Sequence, residues 1–184
     1  MNKKVLVAYA SRLGSTAGVA EAIGKSLADS GAQVDVIPVQ DVKNLDSYQA
    51  VVVGSAIRNK KWLPEAMQFI ETHQAALAEK PLAIFLVCMT LAMSKGEKYR
   101  SEVSKWLDPV RALVKPVSEG LFAGALEINR IENIGDRIKF RLSTMMGVWK
   151  EGDHRNWMTI KEWAVELRPL LLHKLQTHPL TWEK

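Results

Sequence analysis

Residues 5–27 constrain this chain more than any other stretch. Val5-Leu6-Val7-Ala8-Tyr9-Ala10 is an apolar run without alternation, which suits a strand covered on both faces, as in a parallel sheet. Ser11, Ser15 and Thr16 then surround Gly14, and apolar residues recur at Val19, Ile23 and Leu27 with helical spacing. A helix that begins just past a strand aims its unpaired N–H groups, and the positive end of its dipole, at whatever occupies the turn. Two readings of the turn follow. It is a phosphate site built from backbone amides and hydroxyls, or a plain strand-to-helix turn in which a serine or threonine caps the helix. A nucleotide P-loop is excluded, because five residues separate Gly18 from Gly24-Lys25-Ser26 where that motif needs four, and the segment falls inside the predicted helix. No G-x-G-x-x-G stands in the turn, so the dinucleotide fingerprint is absent as well.

The rest of the chain continues the alternation. Gly31 stops the first helix, and Gln33 to Val39 alternates in period two, an edge strand because Pro38 has no N–H for a ladder. Residues 41–48 are polar and allow a short helix. Ala50 to Ser55 reads as a third strand, 56–62 as a loop, and Pro64 as the start of a helix with Leu63, Met67 and Ile70 on one side. Pro81 to Met89 is a fourth strand, followed by a loop over 90–94. A helix is predicted from Glu97 to Leu113, with Val103, Leu107, Val110 and Val114 on one face, and a fifth strand from Pro116 to Gly124. Strands separated by helices give an α/β fold, a doubly wound five-stranded parallel sheet with helices on both faces. No repeat, low-complexity tract or linker divides the 184 residues, so a single domain is expected over 1–175, with 176–184 a surface tail.

In such sheets a ligand sits beyond the carboxyl ends of the strands, where the strand order reverses. Loops 10–16, 55–62 and 90–94 therefore face one crevice. The first offers Ser11, Arg12, Leu13, Gly14, Ser15 and Thr16 to a phosphate. The second offers Ala56, Ile57, Arg58, Asn59 and Trp62, and the third Thr90, Leu91 and Ala92, as walls on either side of a flat ring. Backbone amides of the third loop are expected at the ring's edge. No dedicated acid, base or nucleophile stands out.

Charge and cysteine content exclude several classes. The net charge of +5 is mildly basic and by itself fits an acidic lipid surface, nucleic acid, an anionic small molecule or nothing specific; with the crevice read as a small-molecule site, nucleic acid is not an expected partner. Cys88 is the only cysteine, which excludes an internal disulfide, and its neighbours Ile84, Phe85, Leu86 and Val87 make it a buried, inert thiol. His73, His154, His173 and His178 show no metal-ligand spacing. Asn2-Lys3-Lys4 imitates an export signal, but the apolar core after it is shorter than the roughly seven residues such a signal needs. No run approaches the ~18 apolar residues of a membrane span. A cytoplasmic protein without an integral anchor is expected.

Five parallel strands, a Ser/Thr-rich first loop without lysine, an aromatic second loop and a hydroxyl-bearing third loop resemble the flavodoxin family. That resemblance implies strand order 2-1-3-4-5 and noncovalently bound FMN. Ser11, Gly14 and Thr16 match the family's first-loop pattern hydroxyl-x-Thr-Gly-x-Thr, with Leu13 where threonine is usual and Ser15 placed to supply the missing hydroxyl. The chain is basic where electron-carrier flavodoxins are acidic. A closer resemblance is to the flavodoxin-like menaquinone-dependent protoporphyrinogen oxidases, carried in order by Gly54-Ser55-Ala56-Ile57-Arg58, Phe122-Ala123-Gly124-Ala125-Leu126, and Asp136-Arg137 with its amphipathic run. It covers nearly the whole chain, while residues 59–62 and 93–100 depart from the oxidase loops. It implies an FMN-dependent oxidoreductase with a reduced tetrapyrrole such as protoporphyrinogen as donor and a membrane quinone as acceptor. Arg58 and the basic insertion would meet the tetrapyrrole's propionates. Two other readings stand beside it: an electron carrier that serves protein redox partners, and a cofactor-free interaction module.

That insertion spans 126–155, after the fifth strand. Within it Ile138, Leu142, Met145, Met146 and Trp149 form a stripe on a helix predicted over 137–150, with Arg137, Lys139, Arg141 and Lys150 as its charged residues. Such a helix suits peripheral contact at the inner face of a membrane, a partner groove or a quinone-like amphiphile; alternatively the stripe packs on its own sheet edge or a dimer partner. Asp153 reads as the cap of a closing helix in which Ile160, Trp163, Ala164, Leu167 and Leu171 face the sheet. His154 reads as a solvated loop residue rather than an acid–base partner.

Overall fold

The computed structural model describes residues 4–131 and 133–172, so the expected tail 176–184 lies outside them. In chain order the elements are β1 (Lys4–Ala10), α1 (Ser15–Ala28), β2 (Gln33–Pro38), β3 (Ala50–Arg58), β4 (Lys61–Trp62), α2 (Pro64–Thr72), α3 (Gln74–Ala78) and β5 (Leu82–Cys88). They continue with α4 (Arg100–Lys105), α5 (Asp108–Arg111), β6 (Ser118–Ala123), β7 (Ala125–Leu126), α6 (Ile134–Met145), β8 (Gly152–Asp153) and α7 (Trp157–Leu172). The parallel strands lie in the order β2-β1-β3-β5-β6, which is the 2-1-3-4-5 order expected when only parallel strands are counted.

Successive side chains of a strand point to opposite faces, and here each face has its own apolar cover. Leu6 and Ala8 pack with Ala66 and Ile70 of α2, Val103 of α4 and Val110 of α5. Val5 and Val7 pack with Val19, Ile23 and Leu27 of α1 and with Ile160, Ala164 and Leu167 of α7. This double burial is why β1, β3 and β5 read as unbroken apolar runs. On the α1/α7 side the rings of Phe85, Phe122 and Trp163 meet at centroid separations of 5.5 to 6.2 Å. Gly54 lies beneath Phe85, where a β-carbon would stand 2.0 Å from the ring.

Register brings the ends of the central strands level. Ala10 lies opposite Ser55, and Ser55 opposite Leu86, so the first, second and third loops leave the sheet on one rim.

Four expectations are corrected. Residues 41–48 hold no helix; a single 3₁₀ turn occupies Val39–Asp41 instead, and Asn44 Oδ1 accepts the Asp46 N–H in a local turn that competes with helix. The helix expected from Glu97 to Leu113 is broken into a 3₁₀ turn at Gly96–Tyr99, α4 and α5. Pro109 lacks an N–H and its ring crowds the carbonyl four residues back, and the Ser104 carbonyl at the break accepts both the Leu107 N–H at 3.1 Å and Arg111 Nη1 at 2.9 Å. The loop expected over 56–62 is a hairpin: β3 runs on to Arg58 and pairs with β4 through Ile57–Trp62 and Arg58–Lys61. Asn59 and Lys60 turn it with φ of 51° and 62°, the geometry of a tight two-residue connection.

The fourth correction concerns the insertion. Its helix runs over Ile134–Met145, not 137–150. Gly147, at φ 73°, closes it: the Gly147 and Val148 N–H groups donate to the Thr144 and Ser143 carbonyls at 3.0 and 2.9 Å. This left-handed cap turns the chain back, so Trp149 leaves the stripe and packs beside Phe140 against Leu126, Ile128 and Ile131.

Candidate functional site

The first loop forms as its residue types require. Gly14 sits at φ 85°, a left-handed conformation that a β-carbon would strain, and stands at the head of α1 without a side-chain cap. Its N–H donates back to Ser11 Oγ at 3.1 Å, which tightens the turn. No acidic residue occupies the first turn of α1. The helix thus offers its own leading amides no carboxylate, which favours an anion there. Thr16 is 1% exposed, and its Oγ1 has no hydrogen-bond partner among the described residues. A buried hydroxyl left unpaired costs about 1–3 kcal/mol, and a phosphate oxygen at the helix head would answer it. The residues present fit a phosphomonoester.

Ser15, expected to replace a missing hydroxyl, also ties the first loop to the insertion. Its Oγ accepts the Ala125 N–H at 2.9 Å; accepting leaves the O–H proton available to donate. Leu13, standing where threonine is usual in the family, packs with Met89, Phe140 and Trp149 around Leu126, Ile128 and Ile131. It is the anchor on which the insertion docks. Arg12 is exposed and meets Glu65 of α2 at 3.0 Å.

The second loop places Ala56 and Ile57 half-buried at the rim, against the core. Arg58 pairs with Asp136 of α6 at 3.0 Å, Asn59 stands exposed at the hairpin tip, and Lys60 reaches Glu102 at 2.8 Å. Trp62 is 4% exposed and lies within the core on the α2 side, with its Nε1–H unpaired among the described residues. The third loop is a 3₁₀ turn, Thr90–Ala92, with all three residues half-buried. Two amides of the loop are spent locally: Ala92 N–H donates to the Met89 carbonyl at 2.9 Å and Met93 N–H to the Thr90 carbonyl at 3.3 Å. Burial pushes the Cys88 thiol up to about 11, so it stays protonated and inert near neutrality.

Sequence reasoning missed Arg155. β7 and β8 pair antiparallel as the stem of the insertion, and this stem sets Arg155 over α1. Asp153 receives the Arg155 Nε at 2.8 Å and Nη2 at 2.7 Å, Nη1 donates to the Ser15 carbonyl at 3.2 Å, and the guanidinium lies 4.3 Å over the Trp157 ring. The Asp153 carboxyl is held below its ordinary range, chiefly by that guanidinium. Asp153 is thus Arg155's partner and not the cap of α7. Asn156 caps it, its Oδ1 accepting the Thr159 N–H at 3.1 Å. His154 is half-buried, with Nε2 against the Lys150 carbonyl at 2.8 Å. Leu13, Gly14, Ser15, Ala125, Glu127 and Arg155 together line a small cleft at the helix head. The only local signal for Arg155 was its place in the turn 152–156.

An apolar stripe faces outward on α6. Ile134, Ile138, Leu142 and Met145 are 70, 54, 53 and 84% exposed, with exposed Lys139 and Arg141 to either side. Arg137, expected on this basic face, instead donates through Nε and Nη2 to the Ile131 carbonyl at 2.9 and 2.6 Å. Among the described residues no helix is long and apolar enough to cross a membrane, and no group of His, Cys, Asp and Glu is arranged to hold a metal.

A parallel sheet in this order, with an uncapped helix head on the carboxyl rim, defines a flavodoxin-type α/β protein. The family model for the flavodoxin domain matches residues 6–154, and the chain belongs to that family. Membership implies FMN as the cofactor, in keeping with the phosphate-type helix head. Among curated proteins the chain is 27% identical to a protoporphyrinogen IX dehydrogenase [quinone] of Leishmania major, over 92% of this chain and 76% of that protein. It is 25% identical to the protein of the same description from Escherichia coli (strain K12), over 91% of this chain and 96% of that one. Among solved structures it is similar to oxidised flavodoxin 2 from Bacillus cereus, 25% identical with a TM-score of 0.51, covering 78% of this chain and 99% of the flavodoxin.

Proposed function

We propose that this chain is an FMN-dependent oxidoreductase that oxidises a reduced tetrapyrrole of the protoporphyrinogen class and passes the electrons to a quinone. One observation carries the reading beyond electron transfer in general. The likeness to the two dehydrogenases takes in 91–92% of the chain, too much to leave out the insertion 126–155.

When bound, FMN would supply the redox chemistry between the tetrapyrrole donor and the quinone acceptor. The chain's residues bind, orient and enclose. Amides of residues 12–16, with the hydroxyls of Ser11, Ser15 and Thr16, hold the phosphate. Ala56, Ile57, Arg58 and Asn59 flank one side of the ring system, with the core-buried Trp62 backing their hairpin rather than forming the wall expected of it, and Thr90, Leu91 and Ala92 flank the other. The exposed apolar stripe of α6, flanked by Lys139 and Arg141, rests on an anionic bilayer at the inner face of the membrane, where a quinone is dissolved. This chemistry needs no side-chain acid or nucleophile.

Anaerobic assay of the FMN-loaded protein with protoporphyrinogen and a soluble menaquinone analogue tests the reading. Sustained turnover supports it. Flavin binding without turnover reduces the protein to an electron carrier, and failure to take up FMN makes it a cofactor-free module. Flotation with anionic and with neutral vesicles tests the membrane contact. Lys139→Glu with Arg141→Glu is expected to abolish binding to anionic vesicles and leave flavin content unchanged.

A further inference from the structure

We propose that Arg155 is the donor against which the phosphate site at the head of α1 closes, and that it selects the phosphorylated over the unphosphorylated flavin. The inference rests on the FMN reading above and adds to it a residue contributed by the insertion, far from the first loop in sequence.

Four observations converge. Arg155 lines the same cleft as Leu13, Gly14 and Ser15, on the flank of the acid-free, uncapped first turn of α1, where it meets the Ser15 carbonyl. Its side chain is only 15% exposed and is fixed on three sides, by Asp153, by the Ser15 carbonyl and by the Trp157 ring. A guanidinium carries five N–H donors, and three are spent on these partners, which leaves two for a ligand. In the same first turn the Thr16 hydroxyl, buried beside the cleft lining rather than part of it, has no partner among the described residues and marks the helix head independently as a place for an acceptor.

The fold also keeps space for the guanidinium. A β-carbon on Gly18 would stand 2.6 Å from Arg155 Nη1, so a glycine in the first turns of α1 is what lets the arginine lie there. Because Asp153 balances the charge and Glu127 also lines the cleft, the site selects through directed donors rather than through net positive potential. An arginine fork matches phosphate oxygens in a way that a diffuse positive field does not. Arg155 is the ligand-touching member of the group; Asp153 and Trp157 are positioning residues.

Flavin titration of the full-length apoprotein, read by fluorescence quenching, tests this with FMN and riboflavin in parallel. Arg155→Gln is expected to weaken FMN at least tenfold and riboflavin less than twofold, with Arg155→Lys recovering part of the FMN affinity. Gly18→Ala, which keeps the charge but displaces the guanidinium, is expected to lower FMN affinity selectively as well. As a readout without flavin, inorganic phosphate at constant ionic strength should raise the thermal midpoint of wild-type apoprotein and not that of Arg155→Gln. Equal losses for both flavins would make Arg155 a staple between the insertion and α1, and unchanged FMN affinity would remove it from the site. Both results overturn the proposal. A wild-type protein that binds neither flavin overturns the cofactor reading itself.

Discussion

Arg58 and Asp136 lie 78 residues apart in the chain, and their side chains meet at 3.0 Å. The pair pins the start of α6 to the β3–β4 hairpin, so the insertion touches the second loop here and the first loop at Leu13. With side chains 64% and 32% exposed, solvent screens the pair and its contribution is about 1 kcal/mol at most. Arg58→Ala should therefore shift the thermal midpoint by less than about 4 °C while amide exchange in α6 rises. The exchanged pair Arg58→Asp with Asp136→Arg should restore protection. Identical exchange in wild type and Arg58→Ala would mean that the hairpin does not hold α6.

Leu13 offers a test of the first loop's departure from its family. Replacing it with threonine supplies the usual hydroxyl but removes apolar contacts with the insertion's small core. Leu13→Thr is expected to loosen the insertion by about 1–2 kcal/mol, seen as faster amide exchange at Leu126, Ile128 and Ile131. Exchange within α1 should be unchanged.

Stability should fall at both ends of the pH range through one contact group. Lys4, at 2.8 Å, and the Tyr48 hydroxyl, at 2.6 Å, hold the Asp35 carboxyl below the usual carboxylate range. A depressed carboxyl stabilises the fold above its unfolded value of about 3.9, and that contribution is lost as the pH drops through the folded value. Burial, and then Asp35, raises the Tyr48 hydroxyl to about 12. Its contribution is complete below the unfolded value of about 10 and is lost as the pH climbs toward 12. Denaturation midpoints for Asp35→Asn should fall less steeply than wild type below pH ~4, and those for Tyr48→Phe less steeply above pH ~10. Parallel curves would contradict the assignment.

Phe85 is fully buried beneath Phe122 and Trp163 and over Gly54. Phe85→Ala should cost about 3–5 kcal/mol, measured by urea denaturation. A loss below about 1 kcal/mol would show that the neighbouring rings collapse into the space.

Much of this architecture was legible in the residues because it depends on local signals. Unbroken apolar runs marked strands covered on both faces, and helical periods marked α1 and the inward face of α7. The expected face Val103, Leu107, Val110 and Val114 is buried as read, although Pro109 breaks the helix that carries it. The first loop declared itself through Gly14 and its hydroxyl neighbours. The hairpin at 56–62 was missed because Asn59-Lys60 lacks the glycine that usually advertises a left-handed turn. Trp149 leaves the expected stripe because Gly147, at φ 73°, ends the helix two residues before it, a stop that the apolar spacing alone does not show.

What the sequence determined by itself was the layered α/β fold and a helix head suited to phosphate, since these follow from the period, the punctuation and the residue types of short segments, while the strand order came from the family resemblance. Only the tertiary structure decided that Arg155 stands above Ser15, that Leu13 anchors the insertion, that Arg58 meets Asp136 and that Arg137 is spent on a carbonyl. Those contacts join residues from 6 to 140 positions apart. Their closure depends on how the insertion folds back across the carboxyl rim, which no local pattern encodes.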